Sequence, residues 1–217
     1  GGYFSSLDAD SEHEEGKFYV WSRDEVSRCT TVEEYAVAAA YYGLDRAANF
    51  EGAHWHLVVA RPLPGVAAAL GRPLAECEAL LASAREKLFA AREQRIRPGR
   101  DDKILTSWNA LMIEGMAHAG RVLGRDDWLA SARRALDFIR GQMWQDGRLL
   151  ATCKDGRAHL NAYLDDYAFL LDAALEMLQA EFRAADLALA RDLADALLER
   201  FEDAGGDPAQ HHLPAPP

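Results

Sequence analysis

The chain has 217 residues, 49% of them hydrophobic and 27% charged, with a formal net charge of −11 at pH 7. This length and composition predict a globular protein with a sizeable core. The acidic balance excludes a nucleic-acid partner, which would need clustered lysine and arginine, and no apolar run is long enough to cross a membrane.

The cysteines are informative by their number and spacing. Cys29, Cys77 and Cys153 are odd in number and far apart, and they form neither a CxxC redox pair nor a zinc knuckle. The sequence also shows no signal-peptide pattern. We therefore expect free thiols in a reducing, cytoplasmic location.

Apolar residues recur at alternating three- and four-residue spacing, which predicts amphipathic helices. The first covers Val32–Tyr42 and stops at Gly43. The next begins at Leu74 and ends before Pro98. The apolar stripes of four further helices are, in chain order, Leu105, Trp108, Met112, Gly115 and Ala119; Leu129, Ala132, Leu136, Ile139 and Met143; Leu164, Tyr167, Leu171, Ala174 and Leu178; and Leu187, Ala190, Ala194, Leu197 and Phe201.

These last four helices form two copies of one unit. Adding 59 to the stripe that starts at Leu105 gives the stripe that starts at Leu164, and adding 58 to that of Leu129 gives that of Leu187. One helical hairpin cannot bury its own apolar face, so such repeats stack, either as an open solenoid or as a closed α/α toroid. Residues 17–21 and 147–153 are rich in β-formers and predict extended connectors, which favour the toroid.

Two pairs of adjacent carboxylates lie at predicted helix starts. Asp101 and Asp102 precede one helix, and Asp165 and Asp166 lie in the first turn of another. A carboxylate at a helix start accepts hydrogen bonds from free N–H groups. Because one carboxylate is enough for a cap, its neighbour is available to contact a ligand or to pair with a cation. The cations nearest the first pair are Arg97, Arg100 and Lys103.

Aromatic and amide side chains accompany both pairs. Trp108 and Asn109 follow the first, and Tyr163 and Tyr167 flank the second. An aromatic platform beside carboxylates and an amide is typical of a sugar site, although a stripe aromatic is also an ordinary core residue. The two clusters occupy equivalent ends of repeated helices, so we expect them on the same rim.

The segment of residues 8–15 is the most acidic run. Asp8 and Asp10 fit the first ligands of an EF-hand loop, but the required glycine and the final glutamate are replaced by His13 and Tyr19. The segment is therefore a solvated loop or a source of carboxylates, Asp8 and Asp10, for a neighbouring site.

Histidines give no metal-binding pattern. His54 and His56 share a face if their segment is extended, but a zinc site lacks a third ligand. His118 and His159 are isolated, and any of these imidazoles could act as a proton-transfer base. We predict neither a metal ion nor a cofactor.

Three segments resemble the motifs of one family. They are Leu7-Asp8-Ala9-Asp10-Ser11-Glu12 with Glu15-Gly16-Lys17-Phe18-Tyr19-Val20-Trp21, Arg97-Pro98 followed by Asp101-Asp102-Lys103-Ile104-Leu105-Thr106-Ser107-Trp108-Asn109, and Asp165-Asp166-Tyr167-Ala168. They resemble the YyaL-like family, which includes the spermatogenesis-associated thioredoxin-like proteins. The resemblance implies an all-α fold, a partial (α/α)6 toroid of the six-hairpin glycosidase-like kind with short β excursions.

The resemblance also implies a domain organisation. Family members carry a thioredoxin-like domain before the toroid, and its cysteine motif does not occur in this sequence, so we carry over no redox activity. We interpret residues 1–206 as an incomplete toroid domain and residues 207–217 as a disordered proline-rich tail. The expected partners are a small-molecule substrate such as a sugar, the remainder of the toroid, or a thioredoxin-like domain.

The resulting hypothesis is a carbohydrate-active or carbohydrate-binding segment, sugar epimerase-like or glycosidase-like by resemblance. The acid/base candidates are Asp101, Asp102, Asp165 and Asp166. The candidate substrate contacts are Trp108, Asn109, Tyr167, Asp8, Asp10, Arg97 and Lys103. The alternative is a non-catalytic helical scaffold or protein-interaction module, in which the acidic pairs are caps and ion pairs.

Overall fold

The structure is a computed structural model, and it describes residues 1–202. The predicted tail at residues 207–217 lies outside the described residues. The helices are α1 Arg23–Cys29, α2 Val32–Tyr42, α3 Leu63–Leu70, α4 Leu74–Arg92, α5 Thr106–Leu123, α6 Asp126–Phe138, α7 Leu164–Ala180 and α8 Ala184–Phe201. The strands are β1 Ser6–Leu7, β2 Asp10–Ser11, β3 Glu14–Glu15, β4 Arg100–Asp101, β5 Ile104–Leu105, β6 Trp144–Gln145, β7 Arg148–Lys154 and β8 Arg157–Asn161.

This architecture confirms the predicted fold class: it is all-α, with helical hairpins stacked side by side and short strands in their connectors. None of the helices within residues 1–202 combines the length and the apolar character needed to cross a membrane. The described residues divide into two compact units, a C-terminal unit made of Gly1–Ser6 with the residues from Arg100 onward, and an N-terminal unit made of Leu7–Gly99. A single domain over residues 1–206 stays a prediction.

The C-terminal unit consists of two helical hairpins and a small sheet. Helix α5 packs against α6 and α7, and α7 packs against α8. A π-helical turn, Ile139–Met143, ends α6. The antiparallel sheet follows the order β5–β7–β6, with β8 also paired to β7. It confirms the extended connector predicted at residues 147–153. In its register Leu105 faces Thr152, which faces His159 on the other side.

Helix α5 buries a different face from the predicted one. Trp108 and Met112 of the predicted stripe are 56% and 47% exposed. The buried residues are Thr106, Asn109, Ala110, Ile113, Ala117 and Gly120. Four of them, Thr106, Ala110, Ile113 and Ala117, correspond to buried residues of α7 at a spacing of 60: Asp166, Leu170, Ala173 and Met177. The buried positions thus repeat at a spacing of 60 and not at the predicted 59, and the predicted α5 stripe was wrong because α5 is apolar on two faces.

The first two helices of the N-terminal unit, α1 and α2, each begin with a capping box. The Ser22 hydroxyl accepts from Glu25 N while the Glu25 carboxylate accepts from Ser22 N, and Thr31 and Glu34 repeat the arrangement on α2. Helix α2 ends as predicted at Gly43, whose φ of 75° favours glycine. The buried core of this unit lies between α1, α2, α3 and α4.

Residues 17–19 form a turn, so the predicted extended segment at residues 17–21 was wrong apart from an isolated bridge between Trp21 and Trp55. The guanidinium of Arg95 explains the difference. It donates to the carbonyl oxygens of Lys17, Phe18 and Val20 at 3.3, 3.0 and 2.7 Å. It also lies 4.1 Å from the centre of the Trp21 ring. One cation thus satisfies the carbonyls that a neighbouring strand would otherwise have to satisfy.

Candidate functional site

Helices α5 and α7 start side by side and run in the same direction. Ser107 N donates to Asp166 Oδ1 at 2.9 Å, across the two helix starts. About three turns further along, His118 and Arg121 of α5 contact Glu176 of α7 at 3.1 and 2.8 Å. The helices are therefore parallel and in register, which confirms that equivalent helix ends lie together. We call these two helix starts, with residues 100–105 before α5, the α5–α7 rim.

Asp166 joins the two helices through their backbones. Its Oδ2 accepts from Tyr163 N at 2.9 Å, while its Oδ1 accepts from Ser107 N of α5, and the residue is 3% exposed. Burial raises the pKa of Asp166 above its ordinary value, although both backbone donors act in the opposite direction. Because both oxygens are engaged with backbone N–H groups, Asp166 holds the rim together.

The other three carboxylates of the rim are more accessible. Asp165 is exposed, and its Oδ1 accepts from Asp166 N at 3.1 Å. Asp101 accepts from Lys103 Nζ at 2.6 Å, and this ammonium holds the pKa of Asp101 below its usual range. Asp102 accepts from Arg100 Nε at 2.5 Å. Neither residue caps α5, whose preceding residue is Leu105 and whose start has no side-chain cap of its own.

The aromatic and amide candidates divide into exposed and buried groups. Trp108 and Tyr163 are exposed at 56% and 54%. Asn109 is 2% exposed, accepts from Tyr3 N at 2.7 Å, and donates to the carbonyl of Tyr3 at 3.0 Å. Tyr167 is 1% exposed, and its hydroxyl accepts from Leu149 N at 2.9 Å. Asn109 and Tyr167 therefore use their polar groups within the fold, where Asn109 fixes the N-terminal segment.

Three predicted contacts lie in the N-terminal unit. Asp8 Oδ1 accepts from Asp10 N at 3.2 Å, which shapes the loop that leads into β2. Arg97 forms an ion pair with Glu93 one turn away. Their role as substrate contacts stays a prediction.

The N-terminal unit contains a polar cavity that the sequence patterns did not predict. It has a volume of about 410 Å³ and brings the acidic segment, with His13 and Lys17, to the loop that carries Phe50 and His54. Within residues 1–202, no group of three histidine, cysteine or acidic side chains is placed to hold a metal ion. Two tight turns shape this cavity, and their backbone has a positive φ at His13 (64°) and at Glu51 (45°). They were hard to predict from the sequence because neither contains the Asn-Gly dipeptide that usually marks such turns.

Comparison with known proteins adds a family context. No family model matches the chain. The chain is 33% identical to spermatogenesis-associated protein 20 of Homo sapiens and 31% identical to that of Mus musculus, each over 242 residues. This sequence is homologous to part of spermatogenesis-associated protein 20. Both alignments cover 95% of this chain and 30% of the relative, so the chain spans less than a third of these relatives.

Among solved structures, cellobiose 2-epimerase from Bacillus thermoamylovorans is similar with a TM-score of 0.45 and 13% identity. That match covers 94% of this chain and 50% of the epimerase.

Proposed function

We propose that this chain is part of the helical toroid of a YyaL-like protein and that the α5–α7 rim binds a sugar. The homology to spermatogenesis-associated protein 20 over 95% of the chain supports the family assignment. Because the chain covers 30% of that relative, the proposed partners are further toroid helices and a thioredoxin-like domain of a longer polypeptide.

The observation that carries the sugar proposal is the exposed side chains of the rim. Trp108 follows Ser107, and Asp165 precedes Asp166, so the contact between Ser107 and Asp166 brings the exposed indole and an exposed carboxylate to one end of the helix pair. A sugar stacks its C–H face on an aromatic ring and donates its hydroxyl protons to carboxylates. Lys103 and Asp102 of the preceding segment supply further polar contacts.

The rim residues support different roles in a reaction. The neighbouring ammonium of Lys103 lowers the pKa of Asp101, which suits an electrostatic stabiliser and makes Asp101 a weaker base. Asp102 and Asp165 are the accessible partners for a second carboxylate role, as acid or base, in glycoside hydrolysis or sugar epimerisation. We assign Asp166, Asn109 and Tyr167 to positioning, because their polar atoms are already bonded within the fold. Asp8, Asp10 and Arg97 are further proposed substrate contacts.

Sugar binding is tested by saturation-transfer NMR on the 217-residue chain with glucose and cellobiose. We expect transfer to the ring protons, reduced by Trp108→Ala and by Asp165→Asn. Phe182→Ala is the matched control, since Phe182 is a 69% exposed aromatic residue away from the rim in the same unit. Equal loss in the Phe182 variant, or no transfer to either sugar, contradicts the proposal.

The reaction itself is tested by incubation with reducing sugars in D₂O. Deuterium uptake without bond cleavage indicates epimerisation, and release of monosaccharide indicates hydrolysis. Asp102→Asn and Asp165→Asn are expected to reduce whichever activity is present. If both variants keep full activity, these carboxylates are not catalytic.

A helical scaffold without catalysis is the second candidate, favoured by one observation. Both oxygens of Asp166 point at backbone N–H groups, as a structural cap requires. On this account the variants of Trp108 and Asp165 change no sugar contact, and Asp166 variants lower stability alone.

We also propose that the chain works in the cytoplasm. All three cysteines are free thiols, and Cys77 and Cys153 are buried, as expected in a reducing compartment. Fractionation of cells that produce the whole protein tests this location, and recovery from the secreted fraction contradicts it.

A further inference from the structure

A groove of about 460 Å³ in the N-terminal unit combines cations with aromatic rings. Arg85, Phe89 and Arg92 line it from one face of α4, since residues three, four and seven apart share a helix face. Trp21 and Tyr42 contribute aromatic surface from other segments of the unit. The volume is in the range of small-molecule sites, and the lining is mainly apolar with few polar groups, as such sites are.

The two guanidinium groups of the groove are poorly neutralised. Nε of Arg92 is buried and has no hydrogen-bond partner within residues 1–202, and the guanidinium forms only a long ion pair there, 3.9 Å from Nη2 to Oε1 of Glu93. Arg85 is exposed and forms neither a hydrogen bond nor an ion pair in the described part of the chain. Glu86 is the only carboxylate in the part of the lining that the structure describes. The groove of a chain with a net charge of −11 thus holds one unpaired cation, Arg85, and one weakly paired cation, Arg92.

The aromatic rings fix the arginine that matters most. The guanidinium of Arg92 lies 5.3 Å from the Phe89 ring and 5.5 Å from the Phe18 ring. Stacking of this kind orders the planar fork and leaves its edge available to an anion. The Phe89 side chain is 57% exposed, so its ring can also contact a ligand.

We propose that this groove binds an organic anion with an aromatic or apolar body. The carboxylate or phosphate group lies against Arg85 and Arg92, where charge-assisted hydrogen bonds satisfy the free donors. The body lies against Phe89 and Trp21. This site is independent of the α5–α7 rim, so neither proposal depends on the other.

The ligand class is tested by isothermal titration calorimetry of the 217-residue chain with phenyl phosphate, benzoate, inorganic phosphate and benzyl alcohol. We expect at least one aromatic anion to bind about tenfold more tightly than either inorganic phosphate or benzyl alcohol, because only it engages both parts of the groove. The tighter of the two aromatic anions identifies phosphate or carboxylate as the preferred group. Benzyl alcohol binding as tightly as the anions, or no binding of either anion, overturns the proposal.

Variants locate the binding in the groove. Arg85→Gln is expected to weaken the binding of the aromatic anion about tenfold, because one charge-assisted contact is lost. Arg85 is exposed, so this substitution should not affect folding. Arg92→Gln should weaken the binding at least as much, and Arg92→Lys should restore part of the affinity if the fold is retained.

The matched control is Arg72→Gln, which removes the same charge from an arginine paired with Glu76 outside the groove. If the Arg72 variant weakens binding as much as the Arg85 variant does, the attraction is non-specific and the proposal fails. If Phe89→Leu weakens the binding of the aromatic anion and leaves the binding of inorganic phosphate unchanged, the placement of the aromatic body on Phe89 is supported. If the binding of the aromatic anion is unchanged, that placement is wrong.

Discussion

The two units use opposite chemistry to hold separate segments together. In the C-terminal unit the carboxylate of Asp166 accepts hydrogen bonds from backbone N–H groups of α5 and of its own helix start. In the N-terminal unit a guanidinium, Arg95, donates to three carbonyls of one turn. In each unit one charged side chain lies where several backbone donors, or several backbone acceptors, come together, because buried backbone groups must be paired.

The carboxylates of the two units also differ in their counter-charge. Glu34 of the N-terminal unit accepts from Lys87 Nζ at 2.7 Å and from the Ser83 hydroxyl at 2.7 Å, and this pairing lowers its pKa to about 2. Asp166 has no cation in its hydrogen bonds, and burial raises its pKa. Glu34 therefore has a cation beside its backbone donor, Thr31 N, whereas Asp166 relies on backbone N–H groups alone and burial outweighs them.

The largest expected effect is on the carboxylate that joins α5 and α7. Asp166→Ala leaves the Ser107 and Tyr163 N–H groups without acceptors and should lower the free energy of unfolding by about 3 kcal/mol. Urea denaturation measures the loss, and amide hydrogen exchange at Ser107 localises it. Asp165→Ala, on the exposed neighbour, is the control. If both variants lose the same stability, Asp166 does not join the helices as described.

The corresponding change in the N-terminal unit is Arg95→Gln. It should cost about 2 kcal/mol, since three carbonyl contacts and the stacking on Trp21 are lost together. Arg95→Lys should recover little of this loss, because an ammonium cannot reproduce the planar fork. The exposed Arg97→Gln serves as the reference in the same denaturation series. Full rescue by lysine would show that charge alone holds the turn.

A pH dependence separates the paired carboxylate from the unpaired one. Because the folded pKa of Glu34 is about 2 and its ordinary value is 4.5, its contribution is present above the ordinary pKa. The contribution is lost as the pH falls from 4.5 toward 2. Glu34→Gln should therefore flatten the acid limb of a stability curve measured between about pH 5 and pH 2.

The control for this curve is Glu78→Gln, on an exposed position of α4. An acid limb that is unchanged by Glu34→Gln would show that other carboxylates dominate acid unfolding.

The smallest effect is expected at Asp102. The sequence alone suggests a helix cap worth about 1 kcal/mol, but the structure shows an exposed ion pair with Arg100. Asp102→Ala should therefore change the free energy of unfolding by less than about 0.5 kcal/mol. Thermal denaturation of this variant beside Arg100→Ala measures it, and a loss near 1 kcal/mol would restore the cap interpretation.

Local sequence patterns predicted much of the secondary structure. Helix α2 and its end at Gly43, the start of α4 and the strand at residues 147–153 follow from periodicity, glycine and β-formers. The 40 or so residues of each hairpin were recognisable as a repeat because stacking demands recurring apolar positions. What sequence could not give was the choice between two apolar faces of α5, since exposure of Trp108 depends on which neighbour packs on the other side.

The site was predictable in part. The Asp165-Asp166 doublet was expected to combine a cap with a free carboxylate, and its two residues do differ in burial. The backbone N–H of Ser107, which Asp166 accepts from, lies 59 residues away in the sequence. No local pattern predicts that a carboxylate at one helix start caps another helix. The turn held by Arg95 was missed for the same reason, because its β-forming residues meet a guanidinium that is distant in sequence.

Asp166 also bears on how this protein can change over evolutionary time. Its carboxylate fixes the relative position of α5 and α7 at their starts, whatever the length of the chain between them. The strands β6, β7 and β8 lie in that interval. Because β7 is paired with β5 and Leu149 N is bonded to the Tyr167 hydroxyl, changes of length are tolerated in the exposed turn between β7 and β8 rather than in β7 itself. That turn is thus free to acquire new lengths and new side chains, while a single added residue within the first turn of α7 would displace the carboxylate from Ser107.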